Sequence, residues 1–208
     1  MGEISPQYID YAASIHTSGQ HLLEVVNDLL DVASIESGSM ALHEEPVDLS
    51  EIARTCERML RGRALRASLL ISVERPDTPV RVTADARRLK QVFINLVGNA
   101  IKFTEQGGSI IIRVEALDDG CARMSVVDTG IGIPKEHQKD VFDAFFRVDS
   151  SFVSKREGTG LGLPLVRALS DLHQAEIGLE SDVGVGTTVS LTFPEARTCH
   201  DSDGESDS

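Results

Sequence analysis

The chain has 208 residues, of which 41% are hydrophobic, and a formal net charge of −13 at pH 7. This length suffices for one domain with a sizeable core plus a smaller element, and the hydrophobic content is ordinary for a globular protein. The acidic balance argues against nonspecific nucleic-acid binding, and a sequence without tryptophan offers little for base stacking.

Neither a membrane span nor a secretory signal is predicted. No apolar run approaches the roughly 20 residues of a membrane helix, and Met1 is followed by polar residues. The cysteines Cys56, Cys121 and Cys199 are scattered singly, which is typical of a reducing compartment and argues against a disulfide framework or a zinc site. We expect a cytoplasmic chain, either free or as the cytoplasmic part of a larger, membrane-anchored protein.

Residues 5–37 are predicted to form one long helix that ends at Gly38. Apolar or small residues recur at steps of four and three, at Tyr8, Ala12, Ile15, Gly19, Leu22, Val26, Leu29 and Ala33, and Leu23 and Leu30 widen this stripe. The period suits a helix of a multi-helix bundle. A helix of roughly 45 Å is too long to pack wholly on a small domain. We therefore expect a protruding dimerisation arm, with an amphipathic helix on its own domain as the alternative.

The next segment is predicted to contain a short extended entry at 46–49, a helix to about Ala67 capped by Ser50, and strands at 69–73 and 80–82. The inner face of the helix is expected to carry Ile52, Ala53, Cys56, Met59, Leu60 and Ala64. Asp85 is predicted to cap the helix that follows.

That following helix, at about 86–104, has two faces. Apolar residues recur at the spacing of a buried helical face, at Leu89, Val92, Phe93, Leu96, Val97, Ala100 and Ile101. Asn95, Asn99 and Lys102 stack on the polar face, because they are separated by steps of four and three. Amide oxygens and a lysine suit a magnesium–phosphate ligand. The alternative is an ordinary solvated face.

Strands are predicted at 110–116 and 121–128. The second strand ends at Asp128 and is followed by a turn that contains Gly130, Gly132 and Pro134. Glycines allow a ligand to approach bare backbone, and a carboxylate there can accept a hydrogen bond from an amino group such as that of adenine. Pro134 is predicted to begin a helix that ends at about Phe142. The alternative is a strand, a turn and a helix cap without a ligand.

Residues 147–159 show no periodicity but include Lys155, and glycines at 158, 160 and 162 precede a helix that runs to about His173. Glycines before a helix offer N–H groups to an anion, and the basic loop suggests a lid over phosphates. Strands at 175–181 and 187–193 follow. The acidic, serine-rich end beyond Pro194 is predicted to be disordered.

In combination, these motifs resemble the catalytic domain of sensor histidine kinases of two-component systems. The similarity covers roughly residues 8–194, with an N box at Gln91–Thr104, a G1 box at Asp128–Pro134, an F box at Phe142–Phe146, a G2 box at Gly158–Leu163 and a last glycine box at Gly184–Thr188. Several motifs in family order are far more specific than any single one.

The resemblance implies an α+β fold of the Bergerat (GHKL) type: an ATP-binding α/β sandwich, with a mixed sheet and helices on one face, preceded by a long bundle helix. It also implies three segments. Residues 1–40 correspond to the second helix of the family's dimerisation hairpin, residues 41–195 to the ATP-binding domain, and residues 196–208 to a disordered acidic tail.

By the same analogy, Asp128 receives the adenine amino group, Asn99 holds Mg²⁺, and Lys102 and Lys155 contact the phosphates of ATP. Asn95, Lys102 and Lys155 are the candidate catalytic residues. The remaining implied nucleotide contacts are Asn95, Phe103, Gly130, Gly132, Ile133, Phe145, Thr159, Gly160, Leu161, Gly162, Leu163 and Thr187.

Position 95 separates the kinases from related ATPases of the gyrase, MutL and Hsp90 types, which place a glutamate there as the base that activates water. Asn95 cannot take a proton from water at neutral pH. Phosphoryl transfer depends mainly on positioning and charge stabilisation. The sequence therefore favours transfer to a protein side chain over hydrolysis.

The family's first hairpin helix, which carries the phosphoacceptor histidine, has no counterpart in this sequence. None of the six histidines replaces that phosphoacceptor. His43 is expected to lie in a linker, and His137, His173 and His200 on the surface. The predicted function is transfer of the γ-phosphoryl group of Mg-ATP to a histidine outside this chain, with a homodimer or full-length kinase and a response-regulator receiver domain as partners. The alternatives are a non-catalytic regulator of a full-length kinase and a serine-directed anti-sigma-type kinase.

Overall fold

A computed structural model describes residues 6–146 and 160–199, and the chain divides into two compact units, residues 1–40 and 41–208. The first unit consists of α1 (Pro6–Glu36), a helix of 31 residues. Tyr8, Ile15, Leu22, Leu23, Val26, Leu29 and Leu30 are all at least 43% exposed. The apolar stripe predicted from the sequence is therefore an open surface on α1. Among the helices that the structure describes, none is both long enough and apolar enough to cross a bilayer.

The second unit is built on a five-stranded mixed sheet. Its strands are β2 (Leu70–Glu74), β4 (Ser109–Ala116), β5 (Ala122–Asp128), β6 (Glu176–Asp182) and β7 (Gly186–Phe193). They lie in the order β2-β4-β5-β7-β6, with β2 parallel to β4 and all other neighbours antiparallel.

Three helices contact this sheet: α2 (Leu49–Arg66), α3 (Ala86–Phe103) and α4 (Gly162–Leu172). Burial alternates along β4, where Ile110, Ile112 and Val114 are buried and their neighbours are not. An alternating pattern of this kind marks a sheet with one covered face. The predicted α+β sandwich is confirmed.

A smaller antiparallel sheet joins β1 (Glu45–Asp48), β3 (Arg81–Ala84) and β8 (Thr198–Cys199). The Arg197 side chain anchors the last strand, because it donates to the Glu44 carboxylate and to the Thr83 carbonyl oxygen. The predicted disorder from residue 196 onward is therefore wrong for residues 196–199, because Glu195–Arg197 form a 3₁₀ turn and Thr198 and Cys199 pair with β3. Residues 200–208 lie outside the described part.

Four local predictions are wrong. The helix expected at 134–142 is two single 3₁₀ turns, Lys135–His137 and Asp140–Phe142. The Ile133 carbonyl accepts from the Gln138 side chain, so a side-chain contact replaces a helical hydrogen bond.

In α2, the cap is Asp48 rather than Ser50, because the Asp48 carboxylate accepts from the Ser50 N–H at 2.8 Å. Met59, predicted to be buried, is 60% exposed, whereas the other five predicted inner residues of α2 are buried. A start at Leu49 directs the stripe of Cys56, Leu60 and Ala64 inward and turns Met59 to the side.

His173 is buried in the core rather than exposed on the surface. Its Nε2 accepts from the Asp85 N–H at 3.1 Å, and its Nδ1 lies 2.8 Å from the Leu169 carbonyl oxygen. Only the neutral ring with its proton on Nδ1 makes both hydrogen bonds. The histidine therefore joins the end of α4 to the start of α3.

Asp85 completes this connection. Its Oδ1 caps α3 by accepting from the N–H groups of Arg87 and Arg88, as the sequence predicts, while Oδ2 accepts from the His43 N–H. Burial opposes ionisation of Asp85, but these N–H donors together hold its pKa below the usual value.

We predict that the free energy of unfolding decreases as the pH is lowered, and that His173 contributes to this decrease. Burial lowers its pKa below the ordinary 6.5, an effect that Arg197 reinforces and that the Leu169 carbonyl, Asp85 and Glu44 partly oppose. A depressed pKa means that the neutral ring contributes fully above pH 6.5 and that this contribution is lost as the pH falls below that value. In His173→Gln, the free energy of unfolding in urea should therefore fall less steeply between pH 7 and pH 5 than in the wild type.

The matched control is His43→Gln, because the His43 side chain is exposed. It should reproduce the wild-type slope. Equal slopes for the wild type and His173→Gln would contradict this assignment.

Candidate functional site

The polar face of α3 meets the beginning of α4. A Cβ atom on Gly162 would lie 3.9 Å from the Asn95 Cγ and 3.9 Å from the Asn99 Nδ2. The first residue of α4 therefore presents backbone, without a side chain, to both amides. This arrangement brings together the N box and the G2 box.

The two helices are antiparallel neighbours. At one end, His173 holds the Asp85 N–H; at the other, Gly162 faces Asn95 and Asn99. The rise of 1.5 Å per residue gives roughly 15 to 20 Å between the two ends on each helix. The hydrogen bond at His173 therefore sets the alignment of α4 along the polar face of α3.

One buried donor in this contact finds no partner among the described residues. The Nδ2 of Asn95 is buried and makes no hydrogen bond to any residue that the structure describes. A buried donor without a partner costs about 1–3 kcal/mol, and native structures contain few. A phosphate oxygen or a water molecule placed between α3 and α4 would satisfy it.

Asp128 lies at the end of β5 and is half-buried. Its Oδ1 accepts from the Gly130 N–H at 2.8 Å, and its carboxylate also accepts from the N–H of Thr187, the residue opposite it on β7. Burial raises the pKa of Asp128, and these two N–H groups oppose the rise. The carboxylate is thus fixed in position and keeps lone pairs for a further donor.

The turn after Asp128 packs on the end of α3. The Ile131 N–H donates to the Phe103 carbonyl oxygen at 3.2 Å, and a Cβ on Gly130 would lie 2.7 Å from the same oxygen. Only glycine fits at position 130 without moving the backbone. Phe103 is one helical turn beyond Asn99, so the carboxylate and the amides border the same region.

Two predicted residues, Lys155 and Thr159, lie outside the described residues. The flanks of that segment are tied together, because the Phe145 N–H donates to the Gly160 carbonyl oxygen at 3.1 Å. Gly160 has a φ of +72°, and a Cβ on it would lie 2.9 Å from the Phe145 Cα. The described residues on the two sides of the segment 147–159 therefore lie close together, beside the F box.

The other predicted residues differ in how they face the site. Leu161 is 1% exposed and fills the core, while Leu163 is half-buried. The Lys102 Nζ lies 4.8 Å from the centroid of the Phe103 ring. The Leu161 side chain is therefore part of the core and is not available to a ligand.

Two side chains that hold the turn were not predicted from the sequence. The Ile133 N–H donates to the Ser181 Oγ at 2.8 Å, and the Gln138 Nε2 donates to the Ile133 carbonyl oxygen at 2.9 Å. Ser181 is 48 residues away from Ile133 along the chain, and Gln138 falls in a segment predicted to be helical. No local sequence signal marks such a contact.

The sequence profile of the histidine kinase-, DNA gyrase B- and HSP90-like ATPase family matches residues 84–197. These residues are more than half of the chain and contain the described parts of the site. The chain belongs to this family and carries the ATP-binding catalytic domain found in histidine kinases.

Individual proteins agree with this assignment. The circadian input-output histidine kinase CikA of Synechococcus elongatus is 39% identical over 93% of this chain and 26% of its own length. Full-length ShkA, crystallised with AMPPNP, superposes with a TM-score of 0.80 at 30% identity over 93% of this chain and 40% of its own. Histidine kinase ThkA, in complex with the response regulator TrrA, gives a TM-score of 0.71 at 26% identity over 93% and 53%. The chain spans about a third or less of the curated relatives that it matches first.

We predict opposite effects for two glycine substitutions. In Gly130→Ala the new methyl group would press on the Phe103 backbone, so the free energy of unfolding should fall by about 1–3 kcal/mol. Gly98, in the middle of α3, has no atom within 4 Å of its would-be Cβ. Gly98→Ala should therefore raise the free energy of unfolding by about 0.5–1 kcal/mol, as expected for an open helical position.

Urea denaturation of the two variants measures this difference. A Gly130→Ala protein as stable as the wild type would contradict the close packing of the turn against α3.

Proposed function

We propose that this chain binds Mg-ATP in the cleft between α3, α4 and the end of β5, and that it transfers the γ-phosphoryl group to a histidine of another segment or chain. The observation that supports this most is the buried Nδ2 of Asn95, which has no partner among the described residues and belongs to a side chain whose Cγ would lie 3.9 Å from a Cβ on Gly162. Family membership and the fixed carboxylate of Asp128 point in the same direction.

Asp128 accepts a hydrogen bond from the adenine amino group, and Gly130, Gly132 and Ile133 line the base with backbone. The Asp128 carboxylate is partly desolvated and already oriented, which favours recognition of an amino group over a carbonyl group. The remaining proposed contacts are Phe103, Phe145, Thr159, Gly160, Leu161, Gly162, Leu163 and Thr187.

Asn99 is the proposed magnesium ligand, since Mg²⁺ takes oxygen ligands and often only one or two from the protein. When bound, magnesium neutralises charge on the transferred phosphoryl group. Asn95 donates the Nδ2 hydrogens that no described residue accepts to a phosphate oxygen or a bound water. Lys102 and Lys155 supply positive charge to the phosphates.

The proposed reaction is in-line transfer to a neutral imidazole. A ring nitrogen of the acceptor uses its lone pair to form a P–N bond while the bond from the γ-phosphorus to the ADP oxygen breaks. ADP leaves with that electron pair, and the proton on the other ring nitrogen is lost to solvent. Asn95 is not a base for water, so hydrolysis does not compete efficiently.

The acceptor is proposed to lie outside this chain, as the family resemblance implies. His173 in particular is not available as an acceptor, because it is buried with both ring nitrogens engaged. The open apolar stripe on α1 supports pairing with a second copy or with a full-length kinase through a helical bundle. A response-regulator receiver domain is the proposed downstream partner, as for ThkA with TrrA. We propose a cytoplasmic location, where ATP is available and cysteines stay reduced.

We predict that Asp128→Asn lowers the affinity for ADP about 10- to 100-fold in isothermal titration calorimetry, because the amide turns a donor toward the adenine amino group. The pKa of Asp128 is higher in the folded chain, so its ionised form costs stability at neutral pH. The neutral amide removes that cost, and the melting temperature of the variant should therefore not fall. Retained affinity for ADP would contradict the proposed base contact.

Phosphoryl transfer can be tested in trans. The chain, γ-labelled Mg-ATP and a separate hairpin that carries a family phosphoacceptor histidine should yield acid-labile, base-stable label on the hairpin. Asn99→Ala should lose most of this transfer, whereas Lys139→Gln, an exposed substitution away from the cleft, should not.

The alternative function, a non-catalytic regulator, predicts ADP and ATP binding without any label on the hairpin. That result, obtained with a hairpin that a full-length kinase does label, would overturn the catalytic proposal.

A further inference from the structure

The turn from Gly130 to Ile133 has an intrinsically flexible backbone, because two of its four residues are glycine and Gly132 has a φ of +71°. In the proposed function this turn lines the base of the nucleotide. Something outside the turn must therefore fix its backbone if the site is to distinguish one base from another.

Two side chains from other segments hold both polar backbone groups of Ile133. Its N–H donates to the Ser181 Oγ on β6 at 2.8 Å, and its carbonyl oxygen accepts from the Gln138 Nε2 at 2.9 Å. The second Nε2 proton of Gln138 goes to the Ser181 carbonyl oxygen at 2.7 Å. Gln138 thus bridges the turn and β6 with a single amide group.

The hydroxyl of Ser181 extends this bridge to the strand beside Asp128. It donates to the Gly186 carbonyl oxygen at 2.9 Å, and it lies 2.9 Å from the Thr187 Oγ1. Because the only Ser181 hydroxyl proton is used on Gly186, the Thr187 hydroxyl must be the donor in the second contact. The Thr187 N–H in turn donates to the Asp128 carboxylate.

One connected set of hydrogen bonds therefore fixes both the turn and the carboxylate. It runs from the Ile133 backbone through Gln138 and Ser181 to Thr187, and from there to Asp128. Neither Gln138 nor Ser181 is among the proposed ligand contacts.

We propose that Gln138 and Ser181 are positioning residues for adenine recognition: they hold the backbone of residues 130–133 and the carboxylate of Asp128 in one fixed arrangement. The proposal rests on the proposed function of this site and adds the residues that set its base specificity. A purely structural role would affect all nucleotides equally, whereas a positioning role weakens the preference for adenine.

The test compares ADP with inosine diphosphate, in which a carbonyl oxygen replaces the amino group of the base. The ratio of the two dissociation constants, measured by calorimetry, reports recognition of that amino group. Gln138→Met keeps the length of the side chain without its donors, and Ser181→Ala removes the hydroxyl. Each should weaken ADP binding roughly three- to tenfold and inosine diphosphate binding much less, so that the ratio falls.

Three variants serve as controls. Lys139→Gln changes the exposed neighbour of Gln138 and should keep the wild-type ratio. Ser181→Thr retains a hydroxyl and should restore most of the ratio that Ser181→Ala loses. If Gln138→Met does not fold, as judged by circular dichroism, the comparison of Ser181→Ala with Ser181→Thr tests the positioning role by itself.

Two results would overturn the inference and are distinguishable from each other. If Asp128→Asn abolishes the preference for ADP while Gln138→Met and Ser181→Ala keep the wild-type ratio, the positioning role is wrong and the proposed function stands. If Asp128→Asn itself keeps the wild-type ratio, the proposed base contact is wrong, and the positioning role is wrong with it.

Discussion

The site depends on a carboxylate that is partly withdrawn from water and held by backbone. Asp128 accepts from the N–H groups of Gly130 and Thr187, so its oxygens have one orientation. Burial makes this ionised form costly, and an amino group on a ligand would lower that cost. The sheet provides the arrangement, because the register of β5 on β7 places Asp128 opposite Thr187.

A second constraint is the alignment of α3 with α4. The His173 bond to Asp85 fixes one end of the pair, and the absence of a side chain at Gly162 allows close approach at the other. Asn95 is left with a buried donor that no described residue satisfies. The turn after Asp128 is attached to α3 at Phe103, because the Phe103 carbonyl oxygen accepts a hydrogen bond from the Ile131 N–H. The turn that follows the carboxylate therefore packs on the helix that carries the amides.

Local sequence patterns predicted the two faces of α3, the Asp85 cap and the position of Asp128 at a strand end, whereas the mixed α/β sandwich was implied by the resemblance to the histidine kinase family. The local patterns did not predict features that depend on distant partners. Burial of His173 requires the Asp85 N–H, 88 residues earlier. The segment after Pro134 lacks a long helix because Gln138 bonds to the Ile133 and Ser181 carbonyl oxygens instead. Pairing of residues 198–199 with β3 likewise joins strands far apart along the chain.

The central claim is that one cleft holds the base at Asp128 and the metal and phosphates at the amides of α3. A crystal structure of this chain with Mg-AMPPNP tests it most directly. The account predicts the adenine amino nitrogen within hydrogen-bond distance of the Asp128 carboxylate, about 2.7–3.2 Å, and the metal bound by the Asn99 side-chain oxygen. A nucleotide seated elsewhere on the domain, or one whose base lies away from Asp128, would contradict it.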